Sequence, residues 1–194
     1  GVVDFSGNAS HAISSTSEMT FKGGVNAKIN NNGLCAMYIN TGKISISADS
    51  TVEVSGNGKS EAAKGADARG AINIAKASAS LEVAKGATFT VTDNYTSAIR
   101  NNGTVTLGSG VIMRNGSMIP YGGGLNNFGT ATVADGVALY NNHATASGDD
   151  IASTGTLNIA KTGEGWALDG TEGTNDCTSA IDGWYKDGTE KRWN

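Results

Sequence analysis

The stretch Gly122 to Asn142, GGGLNNFGTATVADGVALYNN, holds three short runs of alternating aliphatic residues parted by Gly and Asn turns, and variants of it return along the chain. Recurrence constrains the fold more than any single motif. A unit with so few apolar residues cannot bury them alone and must stack on its copies. Each unit opens with a small residue and an aliphatic one: Ala12-Ile13, Ala71-Ile72, Ala98-Ile99, Gly124-Leu125 and Asp150-Ile151. A turn follows, as in Asn101-Asn102-Gly103, Asn127-Phe128-Gly129 and Ser153-Thr154-Gly155. Next comes an alternating pair such as Ile44 and Ile46, Val105 and Leu107, or Ala131 and Val133. A second turn, built on Gly or Ala-Asp, leads into a third run: Ala27 and Ile29, Val52 and Val54, Phe89 and Val91, Val111 and Met113, Val137 and Leu139. Asparagine closes the unit at Asn31, Asn57, Asn94, Asn115 and Asn141.

The second unit aligns through either Tyr38 or Ile39. With Ile39, the first-run positions are 13, 39, 72, 99, 125 and 151, and the steps are 26, 33, 27, 26 and 26. The long step contains Gly56 to Gly70, GNGKSEAAKGADARG, which reads as a polar loop extruded from the stack, with Ala75 to Ser80 as an alternative home for part of the excess. The pattern predicts an all-β solenoid over residues 1–160, with about six coils of three short strands. Each strand pairs with its counterpart one coil away, about 4.8 Å distant. Aliphatic residues form columns inside, and turn asparagines bond from coil to coil. Residues 161–194 break the pattern and carry all three tryptophans, Trp166, Trp184 and Trp193. That segment reads as a C-terminal cap, with Trp166 and Leu168 over the last coil. At the other end, Val2-Val3-Asp4-Phe5 is expected to add a partial strand below Ile13.

Gly is 28 of 194 residues and charged residues are 16%, a mix that would suit disorder were it not for the period-two aliphatic runs. No run approaches the roughly 18 apolar residues of a membrane span. The net charge is -4 and the Lys and Arg residues are scattered, which argues against nucleic acid as a partner. The Thr-, Ser-, Asn- and Gly-rich, Cys-poor composition resembles that of secreted bacterial surface proteins. The chain opens on Gly1 without a secretory signal, so it is expected to be a mature or excised piece whose signal or anchor lies elsewhere. An even cysteine pair in a secreted protein suggests a disulfide, but one between Cys35 and Cys177 requires the tail to fold back along the stack; two buried small hydrophobes are the alternative.

Catalytic chemistry finds little support. Glycoside hydrolysis wants converging carboxylates. The only adjacent acidic pair is Asp149-Asp150, which reads as a turn or a capping feature of the last coil. Arg100 and Arg114 fall on different faces of the template. His11 and His143 have no metal-ligand spacing to each other or to Cys and acids, and read as exposed turn residues. Lys64-Gly65 and Lys85-Gly86 lack a phosphate-loop context. No catalytic, cofactor-binding or metal-binding residue is assigned, no cofactor is implied, and the chain is expected not to be an enzyme. One array remains: Thr104 and Thr106, Thr130 and Thr132, then Thr156 and Asn158, outward on the middle strands of three successive units. Outward Thr-x-Thr ladders bind ice in some β-solenoids. Lys43 with Ser45, and Ser80 with Glu82, interrupt the array in earlier units, and Thr suits exposed strands in any case.

Gly122-Gly123-Gly124-Leu125-Asn126-Asn127 and Leu139-Tyr140-Asn141-Asn142 carry a resemblance. The chain resembles right-handed parallel β-helix surface proteins of bacteria, namely the polymorphic outer-membrane proteins and the adhesin-like repeats of Gram-positive cell surfaces. Gly123-Gly124-Leu125 fits their Gly-Gly-small-aliphatic motif loosely. Leu139 stands where their second motif has Phe, and Ser97-Ala98-Ile99 and Asp149-Asp150-Ile151 lack the glycines. The resemblance covers about residues 9 to 160. It implies a right-handed parallel β-helix and adhesion or display at a bacterial surface, secreted or cell-attached, with a host or bacterial surface glycan or protein as partner. It carries over no ligand and no binding residue. A carbohydrate-active β-helix, glycan-binding or pectate-lyase-like, is the alternative.

Overall fold

The computed structural model describes residues 1–60, 70–116, 119–160, 167–168 and 179–182. Among them there are strands and turns and no helix. The chain winds through three sheets in turn and builds a parallel β-solenoid of about six coils. The first sheet stacks Ile13–Ser15, Met37–Ile39, Ile72–Ile74, Ile99–Asn101, Leu125–Asn127 and Ile151–Ser153. The middle sheet stacks Met19–Phe21, Gly42–Ile46, Ala79–Val83, Thr104–Leu107, Thr130–Val133 and Thr156–Ile159. The third stacks Val2–Asp4, Asn26–Asn30, Thr51–Ser55, Thr88–Thr92, Val111–Arg114 and Ala138–Tyr140.

The period-two runs place their aliphatic residues inward as expected. Ile44, Leu81, Val105 and Ala131 share one column, and Ile29, Val54, Val91, Met113 and Leu139 another, all essentially without solvent contact. Three strands too short to be stable singly become a sheet by repetition, and their inner faces share one core.

The second coil departs from the expected register. Met37, neither Tyr38 nor Ile39, is the partner of Ile13 and Ile72, while Ile39 pairs with Ser15 and Ile74. Met37 and Ile39 are both buried, so alternation admits either; backbone pairing selects Met37. The steps between coils are therefore less even than the sequence implied. Coils exchange residues among their three turns. The turn between Ile74 and Ala79 is two residues longer than its counterpart between Ile39 and Gly42. The N-terminal run also differs: Val2–Asp4 begins the third sheet, with Val3 opposite Ala27, and does not pair with Ile13.

Of the segment Gly56 to Gly70, expected as an extruded loop, the described first residues belong partly to the stack. Asn57 and Gly58 are buried within the stack, and the Ser60 N–H donates to Gly33 O at 3.0 Å. Residues 61–69 lie outside the described ones. In the fourth and fifth coils the third turn carries an extra strand. Ile119–Tyr121 and Ala144–Ser147 pair in parallel as a small fourth sheet that the periodicity did not reveal. The segment 161–194, expected as a C-terminal cap, falls largely outside the described residues, Trp166, Trp184 and Trp193 included. Its described pieces are Ser179–Asp182, antiparallel to Ile151–Ser153, and Ala167–Leu168, antiparallel to Ser179–Asp182.

Two turn positions per coil need a left-handed backbone. The second turn has Gly24, Asp49, Gly86, Gly110 or Gly136 there, and the end of the third strand has Asn31, Gly56, Asp93, Asn115 or Asn141. Gly adopts this region freely, and Asn and Asp tolerate it best among the others. The asparagine ladder lies mostly one residue further on. Asn8 Nδ2 donates to Asn32 Oδ1 at 2.8 Å, Asn32 Nδ2 to Asn57 Oδ1 at 2.8 Å, and Asn57 Nδ2 to Asn94 Oδ1 at 3.0 Å. Asn57 and Asn94 occupy this inward position as expected. Asn31, Asn115 and Asn141 make the bend that precedes it, and there Asn141 Nδ2 donates to Asn115 Oδ1 and Asn115 Nδ2 to Asp93 Oδ1, a second ladder on the outward side.

Candidate recognition surfaces

The middle sheet presents the most regular face. Its inter-coil register runs from Gly42–Ile46 to Thr156–Ile159 without a bulge. One outward column is Lys43, Ser80, Thr104, Thr130 and Thr156; the other is Ser45, Glu82, Thr106, Thr132 and Asn158. All of these are half-buried or exposed. Parallel pairing repeats each column at about 4.8 Å, and alternate residues along a strand lie about 6.6 Å apart. The result is a lattice of hydroxyls and methyls, neutral from Thr104 onward. Lys43 and Glu82 bridge the two columns as an ion pair. The Lys43 ammonium is held above the ordinary lysine pKa of 10.5, first by its hydrogen bond to the Glu82 carboxylate, then by that carboxylate's charge and by Glu18.

The other faces place aromatics and cations together. On the outer side of the first sheet, His11 stacks on Tyr38 with ring centroids 4.9 Å apart, and His11 Nδ1 accepts from the Cys35 N–H at 3.2 Å. Arg100, from the same sheet, lies over Phe128 at 5.3 Å. Phe128 is 44% exposed in the turn that follows Leu125–Asn127. Lys59 lies over Tyr95, itself 40% exposed, at 5.5 Å. Arg114, on the third sheet, lies over Tyr140 at 6.0 Å. Arg100 and Arg114 thus belong to different faces, as the template required. The pairing of cation with exposed ring was not visible beforehand, because the partners are a coil apart in sequence and only the register joins them.

The groups weighed for catalysis have structural occupations. Asp150 is fully buried and accepts from Asn142 Nδ2 at 2.7 Å. Asp149 Oδ1 accepts from the Ala144 N–H at 2.8 Å and stands 3.4 Å from His143 Nδ1. His11 and His143 are half-buried, less open than expected, because each is tied to a neighbouring turn. Lys85 and Gly86 are the two central residues of the turn closed by the Ala87 N–H on Ala84 O at 3.2 Å. Lys64-Gly65 lies outside the described residues. Cys35 is buried, and Cys177 lies outside the described residues, so the pairing of the two falls outside them as well. Among the described residues no group of three or more His, Cys, Asp or Glu could hold a metal ion, and no helix is long and apolar enough to cross a membrane.

What the geometry defines is a class of architecture, a parallel β-solenoid with a regular hydroxyl-bearing face. No family model, curated protein or solved structure matches the chain.

Proposed function

We propose that this chain is a non-catalytic recognition or spacer module of a secreted or cell-surface bacterial protein, adhesin-like in character. The observation that carries the reading is the middle sheet's outward lattice of Ser, Thr and Asn. Such a face offers many equivalent weak hydrogen-bonding positions. That suits adhesion to a polyhydroxylated or protein surface, where affinity is gathered from repeated contacts. The structural employment of Asp149 and Asp150 supports it further, since neither carboxylate is spare for acid–base work.

A glycan array probed with the intact protein tests the reading. Specific binding that is lost on Thr130→Asp with Thr132→Asp, at unchanged fold, is the expected result. Release of product from a bound polysaccharide would overturn it. A second reading, glycan capture through aromatic stacking, is favoured by the exposure of Phe128 and Tyr95. In that case Phe128→Ala removes array binding and the threonine variants do not.

A further inference from the structure

The sequence holds four Asn-Gly dipeptides: Asn32-Gly33, Asn57-Gly58, Asn102-Gly103 and Asn115-Gly116. This pairing is chemically the most fragile an asparagine can have, because glycine offers no side chain to hinder attack. The glycine nitrogen loses its proton and forms a bond to the asparagine Cγ. The Cγ–Nδ2 bond breaks, and the nitrogen leaves as ammonia carrying that proton. Water then opens the cyclic imide to aspartate or isoaspartate. Water is the only co-reactant, and each event adds one negative charge.

The fold engages the attacking nitrogen at all four places. Gly33 N–H donates to Asn8 O at 2.7 Å and Gly58 N–H to Asn32 O at 3.0 Å. Gly103 N–H donates to Asn101 Oδ1 at 3.0 Å, and Gly116 N–H to Asn142 Oδ1 at 3.0 Å. An N–H held as a donor in a stacked turn cannot swing onto the preceding side chain without first breaking that bond. The four sites differ in what protects them. Asn32 and Asn57 are fully buried, and their glycines donate to backbone carbonyls. Gly103 is held by Asn101 within its own turn. Gly116 alone depends on a side chain from another coil. Its asparagine, Asn115, is half-buried in the outward ladder, donating to Asp93 Oδ1 at 2.6 Å and accepting from Asn141 Nδ2 at 2.5 Å.

We propose that Asn115-Gly116 is a latent deamidation site, held shut by the buried Asn142 of the next coil. Conversion of Asn115 sets a new carboxylate against that of Asp93 and breaks the outward ladder at the coil that carries the extra strand Ile119–Tyr121. Asn142 is a positioning residue: it holds the Gly116 nitrogen and takes no part in the bond changes.

Peptide mapping by mass spectrometry after incubation of the intact protein at mildly alkaline pH tests this, with Asn102 as a reference site in the same molecules. In the wild type both sites should convert at least about tenfold more slowly than in the urea-unfolded chain, as a local opening free energy above about 1.4 kcal/mol requires. Asn142→Ala should accelerate conversion at Asn115 and leave Asn102 slow. If both sites accelerate together, the protection comes from the fold at large and the local guard is refuted. It is refuted equally if neither changes. Hydrogen exchange of the Gly116 amide in the wild-type protein gives a reading that does not depend on the variant folding. Protection is expected, and exchange at the free-peptide rate would overturn the proposal.

Discussion

Asn57 Oδ1 receives both the backbone N–H and the side-chain amide of Asn32, while Asn57 Nδ2 reaches Asn94 Oδ1, Ile29 O and Ser55 O. A fully buried amide with every polar atom engaged stabilises modestly when present and costs far more when removed, because its former partners are left dry. Asn57→Ala is expected to lower unfolding free energy by about 2–4 kcal/mol. Asn102→Ala removes one long bond to Ile74 O from a half-buried position, and should cost about 0.5 kcal/mol or less. Urea titration of the two variants separates them. At this scale the chemistry of the turns was legible in the sequence and its exact address was not. Asn31-Asn32 and Asn141-Asn142 each offer two asparagines in a row, one for the left-handed bend and one for the ladder. Residue type cannot say which does which; only the direction of the preceding strand decides.

Among the elements, the first turns show how closely coils approach. Gly103, Gly129 and Gly155 stack in a column, and a methyl added at Gly129 would lie 2.1 Å from Gly103 O. Gly129→Ala should therefore cost about 3 kcal/mol, since backbone of the coil beneath must shift. Gly24→Ala meets open space and suffers only its left-handed backbone, a penalty of about 1 kcal/mol. Thermal unfolding of the two should differ accordingly. The strands themselves could be read from alternation because an inward residue every second position is a local property. Their register could not. It depends on how many residues each turn consumes, and coils of similar total length divide that total differently. Hence Met37 was passed over for Ile39, and the extra strand pair Ile119–Tyr121 with Ala144–Ser147 stayed hidden inside an unremarkable step of 26. The hydroxyl lattice was legible in its Thr-x-Thr spacing. The rings beside Arg100 and Lys59 were not, because they depend on that same register.

For the molecule as a whole, a stack of parallel strands has a bare edge at each end of every sheet unless something covers it. Ser179–Asp182 covers the first sheet at its C-terminal end by pairing with Ile151–Ser153. A chain ended at Ala160 should lose this cover and associate through the uncovered strand. Light scattering coupled to size exclusion should then report a concentration-dependent rise in mass that the full chain does not show.

The same stacking fixes how the molecule answers a mechanical load. Val2–Asp4 starts the third sheet and Thr156–Ile159 ends the middle one, so tension between these points acts along the stacking axis. Inter-coil hydrogen bonds point along that axis, and a pull opens them in succession, as a zipper parts, instead of shearing them all at once. Each coil that peels away frees about 26 residues, roughly 90 Å of extended chain. A single molecule stretched from its ends should yield at low force in a train of similar small steps, lengthening by degrees where a sheet loaded along its strands would hold and then snap.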